Sequence, residues 1–437
     1  MILVLWNLQD SSLDNANTGS RYATIESLVD YGTYFIDKSR YVRTIDKYKV
    51  GEHFMSSKPP LLPTFGAGVY WVYRELTGQT IARYEGNVVR TVSLFTGGLC
   101  HLIFLIFFFR LCSLLLKRRI AVACCMAAAC FGYLGVGYAT HINNHSTAAA
   151  LGVCGLYYAC RIRRGHDVKV WHWPLAGLVL GVLPGIDPSS LAITAFVSLY
   201  LLTYDWKKTL LWFVPALLPG LVVLLALNYQ ISGAFKPFYL NSELKNFKEF
   251  HFRNAGGIDG LREPKTIYAF NVLFGHHGLF SMTPLYCFGL WELCVSIKRR
   301  RYFAESLICA AMICAFLGFY IFRSRNYGGW CVGMRWLIPI MPLLLLYFGL
   351  WLDRVRITRT LWALVVLAFS VSCFHVQDAL SSPFQYSVWH NWLEGAPNRN
   401  RVGKLFNLPK KRAKSKAARQ KAAEPPTMPA PPLAPVQ

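Results

Sequence analysis

The sequence predicts an all-α fold, a polytopic bundle of transmembrane helices, and three observations predict it. Apolar residues make up 54% of the 437-residue chain and charged residues only 16%, far from the balance of a soluble domain. Apolar stretches of membrane-spanning length recur from about Gly86 to about Gln377. Five small basic clusters interrupt them: Lys117–Arg119, Arg161–Arg164, Lys207–Lys208, Lys298–Arg301, and the trio Arg354, Arg356 and Arg359. If each apolar stretch crosses once, parity puts all five clusters on one face. Short cytoplasmic loops carry the excess of Lys and Arg, so that face is cytoplasmic.

Taken in order, Met1–Trp6 is apolar but too short for a signal h-region or a span, and it reads as the stub of a first transmembrane helix. Residues 7–85 then form an outer segment. Within 21–35, Tyr22, Ile25, Leu28 and Val29 share one helical face, with Glu26 and Asp30 off it. This predicts a helix on the membrane surface, ended by Gly32. Residues 61–77 are apolar but short, and they hold Pro63, Gly66 and Gly68. Counting them as a span would also invert the parity, so they read as a re-entrant or interfacial helix on the outer face.

The spans expected are roughly 86–113, 120–138, 146–161, 172–186, 188–205, 209–230, 278–297, 303–322, 335–352 and 360–376. With the N-terminal stub this makes about ten to eleven crossings. Asp187, between Pro184 and Pro188, reads as a plain residue of a tight outer turn. The chain divides into 1–85, a truncated first helix with an outer juxtamembrane loop; 86–376, the transmembrane domain; and 377–437, a segment ending in a basic, Pro/Ala-rich tail. The tail from Arg401 has no apolar period and is expected to be disordered. Parity leaves it outside, whereas so basic a tail suits the cytoplasm. An extra crossing near Phe384–Leu393 would resolve the conflict, but that stretch is short and polar.

The net charge of +24 would suit a nucleic-acid partner, yet the basic residues lie in loops and tail where anionic lipid headgroups account for them. No nucleic acid is expected. Twelve of the 13 cysteines lie inside apolar segments, only Cys331 in a loop, and there is no CxxC pair, so they read as small packing residues. No Walker A, HExxH, GxSxG or dinucleotide motif is present, which argues against ATP-driven transport and soluble-type hydrolysis.

The outer loops carry the polar chemistry. Lys58 precedes Pro59-Pro60 at the mouth of the helix over 61–77. Proline stiffens the backbone and holds the ammonium at headgroup depth, where a lipid phosphate would sit; the alternative is a snorkelling anchor. Asn144 and His145, candidates to bind substrate, close a very short outer loop, 139–145. His276 and His277, flanked by Gly275 and Gly278 at a helix start, are candidates to bind phosphate through backbone amides and imidazoles. A divalent metal is a further candidate there, although adjacent histidines do not share the i, i+4 face of helical metal sites and no third ligand is evident. Arg335 heads a span with Pro339 and Pro342, and its fork suits a phosphate. Tyr327 and Trp330, just before it, are suited to stack on a sugar or an isoprenoid.

The string SRYATIESLVDYGTYFID, followed by TIDKYKVGEHFMSSKPPLLPTFGAGVYWV, resembles the first outer loop of bacterial GT-C membrane glycosyltransferases, the enzymes related to protein O-mannosyltransferases and aminoarabinose transferases. NNHSTAAALG, GHHGLFSMTPLY and NYGGWCVGMRWLIPIMPLL extend the match over most of residues 17–345. The resemblance implies a GT-C helical bundle with outer-face juxtamembrane helices in a bacterial inner membrane. It implies inverting sugar transfer from a polyprenyl-phosphate donor to a cell-envelope glycan, lipid or protein. Lys58 and Arg21 match the family's lysine before the proline pair and its loop arginine. An acidic residue of the first outer loop would be the general base.

Here the chain departs from the pattern. Thr18 stands where the family carries an acid about three positions before the arginine, and Ser57 stands where an acid often precedes the lysine. Asp14 and Asp46 are the nearest candidates for the base, with Asp37 next, and the residues do not choose between them. The alternative function is a non-catalytic membrane protein of the same fold, a transporter or a scaffold that binds lipid carriers.

Overall fold

The structure, a computed structural model, describes residues 6–10, 13, 15–165, 167–238, 244, 263–324 and 326–394. An outer assembly comes first: α1 (Ala16–Tyr31), a hairpin of β1 (Lys47–Val50) and β2 (His53–Ser56), and α2 (Leu61–Thr77). The helical bundle follows as α3 (Glu85–Leu115), α4 (Arg119–Phe131), α5 (Gly135–Tyr138), α6 (Asn144–Arg164), α7 (His172–Ile186), α8 (Leu191–Leu202) and α9 (Trp206–Ser232). Its second half holds α10 (Lys265–Leu273), α11 (Leu279–Met282), α12 (Leu285–Lys298), α13 (Phe303–Arg323), α14 (Met341–Arg354), α15 (Arg359–Ser381) and α16 (Val388–Glu394).

Every expected span has a helix, or a broken pair of helices, in its place. The breaks have local causes. Pro284 sits between α11 and α12, and a 3-10 turn at Arg335–Leu337 precedes the proline-led start of α14. Among the described residues four helices are long and apolar enough to cross a bilayer unaided: α3, α9, α13 and α15. The chain is a multi-pass membrane protein. Within the bundle, α7 packs along α9, α12 along α14 and α3 along α6. Glycine makes the first contact close, because a Cβ at Gly181 would overlap the Leu217 carbonyl and one at Gly220 would overlap the Gly181 backbone.

The two ends of the bundle differ in charge. At one end the basic clusters meet. The backbone N–H groups of Lys117 and Arg118 donate to Asp353 at 3.0 and 2.7 Å, and Arg301 stands 3.3 Å from the same carboxylate. Arg354 pairs with the buried Glu292 at 2.7 Å and Arg164 with Glu305 at 2.9 Å. Arg163 donates to the Tyr200 carbonyl and to Thr203, at the end of α8 that leads into Lys207–Lys208. The five clusters thus share one face, as parity requires. At this end a cavity of about 640 Å³ is lined by Arg110, Arg161 and Trp171 among others.

The opposite end gathers the outer segment, the loops 139–145 and 326–335, and Asp187. A π-helical turn at Leu94–Gly98 helps to seat them. There a Cβ on Gly97 would overlap the Ala139 and His141 carbonyls, and Thr147 donates to the Thr96 carbonyl at 2.7 Å.

Two features depart from the sequence reading, and a third agrees with its span list, which ends at 376. A two-stranded hairpin interrupts the outer segment. α1 begins at Ala16 and is buried continuously from Asn17 to Ser27, so it is an internal helix and not a surface one. Even Glu26, expected off the apolar face, is buried and accepts from Ser39 Oγ at 2.6 Å and Arg40 N at 3.0 Å. Finally, residues 382–394 make no further crossing. They fold back onto the outer end, where the Pro383 carbonyl accepts from the Val332 N–H at 3.0 Å and the Tyr138 hydroxyl at 2.9 Å. The tail from Arg401 and the stub Met1–Leu5 lie outside the described residues.

Candidate functional site

The site is built from the hairpin outward. In the antiparallel register, Lys47 faces Ser56, so the next residues out, Asp46 and Ser57, face each other. The Ser57 N–H donates to the Asp46 carbonyl at 3.1 Å, and one residue later Lys58 Nζ meets Asp46 Oδ2 at 2.6 Å. Pro59-Pro60 then leads into α2. α1 docks on this junction through Ser20 Oγ, which donates to the Asp46 carbonyl and lies 2.6 Å from Ser56 Oγ.

One helical turn separates Asn17 and Arg21, so both project from the same face of α1. Arg21 Nη1 donates to the Asn17 carbonyl at 3.0 Å and to its side-chain oxygen, and Nη2 donates to Asn144 Oδ1 at the start of α6. Asn143 caps that helix by accepting from the His145 N–H at 2.9 Å. His145 Nδ1 then stands 2.6 Å from Asp187 Oδ2, at the end of α7. Arg335 is buried; its Nε donates to the Gly328 carbonyl at 2.9 Å, and its guanidinium lies 5.6 Å from the Phe384 ring centre. Gly328 has φ +92, and a Cβ there would crowd Arg335 Nε, so glycine is needed on both counts.

These groups feel one another's charge. Burial pushes the Asp46 carboxyl up, but Lys58, Arg335 and Arg21 outweigh it and hold it below the usual carboxylate range. Burial pushes Lys58 down to about 8; Asp46 opposes this, while Arg21 and Arg335 add to it. Burial and Arg335 lower Arg21 to about 9, so it remains cationic at neutral pH. Burial likewise raises Asp187, and its contacts with His145 and Ser189 outweigh it, so it is held as a carboxylate. The result is a cluster of three cations, Arg21 and Arg335 buried and Lys58 largely so, against two carboxylates. An excess of fixed positive charge in a desolvated setting suits a phosphate.

The other expected residues fall elsewhere. His276 and His277 lie in a second cluster with His390 of α16, with ring centres 4.7, 4.8 and 5.8 Å apart. Burial pushes all three imidazoles down, so they are neutral at pH 7. Tyr327 belongs there too: it stacks on His277 and Tyr268, accepts from Asn271 Nδ2 at 3.2 Å and donates to Glu263. The loop from Tyr327 to Gly328 and Arg335 joins this cluster to the first. Trp330 is exposed and faces Tyr386. Asp37 serves the hairpin, accepting from the Phe54 N–H at 3.0 Å beside His53. Asp14 lies outside the described residues. Among the described residues no group of three or more His, Cys, Asp or Glu side chains stands ready to hold a metal ion.

Asp187 is the residue the sequence reading missed. It is 3% exposed, and it is no plain turn residue. Its signal was an acid set between prolines at the outer end of two apolar spans.

No family model matches the chain, and no curated protein matches it. Solved structures do. ArnT from Cupriavidus metallidurans, solved bound to undecaprenyl phosphate, aligns over 85% of this chain and 61% of its own with 15% identity and a TM-score of 0.51. AglB, the oligosaccharyltransferase of Archaeoglobus fulgidus, in complex with an inhibitory peptide and a dolichol-phosphate, aligns over 98% of this chain and 60% of its own, with 14% identity and a TM-score of 0.48. At such identity the likeness to ArnT is one of fold: the chain has the fold of a GT-C membrane glycosyltransferase. It spans about 61% of the length of that ArnT chain.

Proposed function

We propose that this chain is an inverting membrane glycosyltransferase that moves a sugar from a polyprenyl-phosphate donor to an acceptor at the outer face of a bacterial inner membrane. The observation that carries the reading is the largely buried Lys58–Asp46 pair with Arg21 and Arg335 beside it, at the end of the bundle opposite the five basic clusters. In this reading the donor phosphate sits among the three cations. Its polyprenyl tail lies in the bilayer along α2, whose Phe65, Trp71, Val72 and Leu76 are exposed. As the glycosidic bond breaks, negative charge grows on the leaving phosphate, and fixed cations that need not reorganise stabilise it. Asp46 acts as counter-ion that keeps Lys58 charged. The acceptor is a cell-envelope glycan, lipid or protein hydroxyl.

The test is binding and turnover with the purified protein in lipid nanodiscs. Undecaprenyl phosphate is expected to bind at least ten-fold more tightly than undecaprenol, about 1.4 kcal/mol, and labelled polyprenyl-phosphate sugar is expected to release its sugar. Equal binding of the phosphate and the alcohol would refute the reading. Binding without release from any donor would favour a carrier-binding protein of the same fold.

A further inference from the structure

The reaction proposed above needs a base for the acceptor hydroxyl, and the first-loop carboxylate closest to hand, Asp46, is already held by Lys58. A different pair is built for the task. His145 and Asp187 come from the ends of two adjacent helices, α6 and α7, and are 6% and 3% exposed. Both Asp187 oxygens are committed. Oδ1 accepts from Ser189 Oγ at 2.8 Å and from the Ser189 N–H at 3.3 Å, and Oδ2 faces His145 Nδ1 at 2.6 Å.

A carboxylate fixed in this way accepts only, so it holds the imidazole with its proton on Nδ1. The lone pair is then on Nε2, to which nothing bonds among the described residues. The Asn143 cap fixes the first turn of α6, and with it the position of the ring. The neighbouring residue, Asn144, accepts from Arg21, and both Arg21 and Arg335 lie within electrostatic reach of His145. The imidazole therefore borders the phosphate site, touching it through the Asn144 amide 3.4 Å from Nδ1 and leaving Nε2 open.

We infer that His145 is the catalytic base of this protein and that Asp187 is its positioning residue; the inference rests on the glycosyltransferase reading. In the step, the acceptor O–H gives its proton to His145 Nε2 while the oxygen forms a bond to the anomeric carbon. The bond from that carbon to the phosphate oxygen breaks, and its electron pair stays on the phosphate among Lys58, Arg21 and Arg335. Asp187 stabilises the imidazolium until the proton passes to solvent. The arrangement is the orienting logic of a base held by a carboxylate.

The test uses the full chain in nanodiscs with tritiated polyprenyl-phosphate mannose and polyprenyl-phosphate aminoarabinose, reading sugar release to water or to an added acceptor. His145→Gln keeps an amide that can donate to Asp187 but removes the base. Its kcat should fall by about 10²–10⁴-fold, with undecaprenyl-phosphate binding within two-fold of wild type. Asp187→Asn should lower kcat at least ten-fold with the donor KM held, a split that loss of structure alone would not give. If His145→Gln binds the lipid normally and keeps kcat within three-fold, the inference fails and the glycosyltransferase reading stands. If His145→Gln fails to bind lipid, Asp187→Asn decides alone, and an unchanged kcat overturns the inference. If the wild type releases no sugar from either donor, the reading itself fails and the inference falls with it.

Discussion

Lys58 Nζ meets Asp46 Oδ2 at 2.6 Å because the two residues leave the same end of a β-hairpin, one before its first strand and one just after its second. A local antiparallel register thus sets a contact at the centre of the site. The pair is largely buried beside two guanidinium groups, so each partner depends on the other to stay charged.

Lys58→Ala is expected to weaken undecaprenyl-phosphate binding by roughly ten-fold to a hundred-fold. A charge-assisted hydrogen bond to a partly desolvated phosphate is worth about 1.5–3 kcal/mol, at 1.4 kcal/mol per decade. The uncovered Asp46 carboxylate adds repulsion of the same sign. Titration in nanodiscs measures it, and unchanged affinity in a folded variant would reduce Lys58 to an anchor.

The affinity for undecaprenyl phosphate should fall as pH rises through about 8, where Lys58 loses its proton. The lipid phosphate only gains negative charge over that range, so its own titration pushes the other way. Asp46→Asn removes the group that raises the lysine's pKa and leaves burial, Arg21 and Arg335, which all lower it. The midpoint should therefore move to lower pH in that variant. Dissociation constants measured from pH 6.5 to 9.5 decide; a midpoint that stays or rises contradicts the coupling.

Arg335→Lys is not expected to rescue the loss in Arg335→Ala. Arg335 donates Nε to the Gly328 carbonyl and its side chain also hydrogen-bonds Cys331, a planar fork that one ammonium cannot reproduce. Both variants should bind undecaprenyl phosphate about ten-fold or more weakly, in keeping with about 1.5–3 kcal/mol for a charged hydrogen bond. Wild-type affinity in Arg335→Lys would argue for a diffuse charge effect instead.

The layout of helices was legible because apolar length and basic loops obey the bilayer's own constraints. The five clusters did gather at one end, and Lys58, Arg21 and Arg335 did come together. What stayed hidden was set by long-range pairing. Nothing local marks Lys47–Ser56 as a hairpin, since its strands are four residues long and lie in a polar stretch. Asp187 looked like a turn residue because its partner, His145, is 42 positions away. The third member of the His276 and His277 cluster, His390, gave no local sign because it follows the last long helix.

The sidedness is open to direct test in a cysteine-less background. A membrane-impermeant maleimide should label Lys38→Cys, exposed in the outer segment, on intact cells. It should label Lys117→Cys, exposed at the basic end, only after permeabilisation. The reverse pattern would overturn the topology.

One substitution should have opposite effects at two glycines. Gly181→Ala drives a methyl into the Leu217 carbonyl and should cost about 1–3 kcal/mol. Gly318 in α13 has open space around it, so Gly318→Ala should be neutral or stabilising by up to about 1 kcal/mol through helix propensity. Thermal unfolding in detergent compares them, and equal shifts would mean that α7 and α9 are not tightly packed.

The return of residues 382–394 to the outer end has a bearing on biosynthesis. Val332 and Tyr138 find their acceptor on Pro383, and Arg335 its aromatic neighbour in Phe384. A nascent chain therefore carries Lys58 and Arg21 through the translocon long before the contacts that complete their pocket exist. At roughly 5–20 residues per second, that interval lasts on the order of 15 seconds to a minute. During it the cluster of Arg21, Lys58 and Arg335 stays incomplete, and it closes only once residues 383–384 have been made.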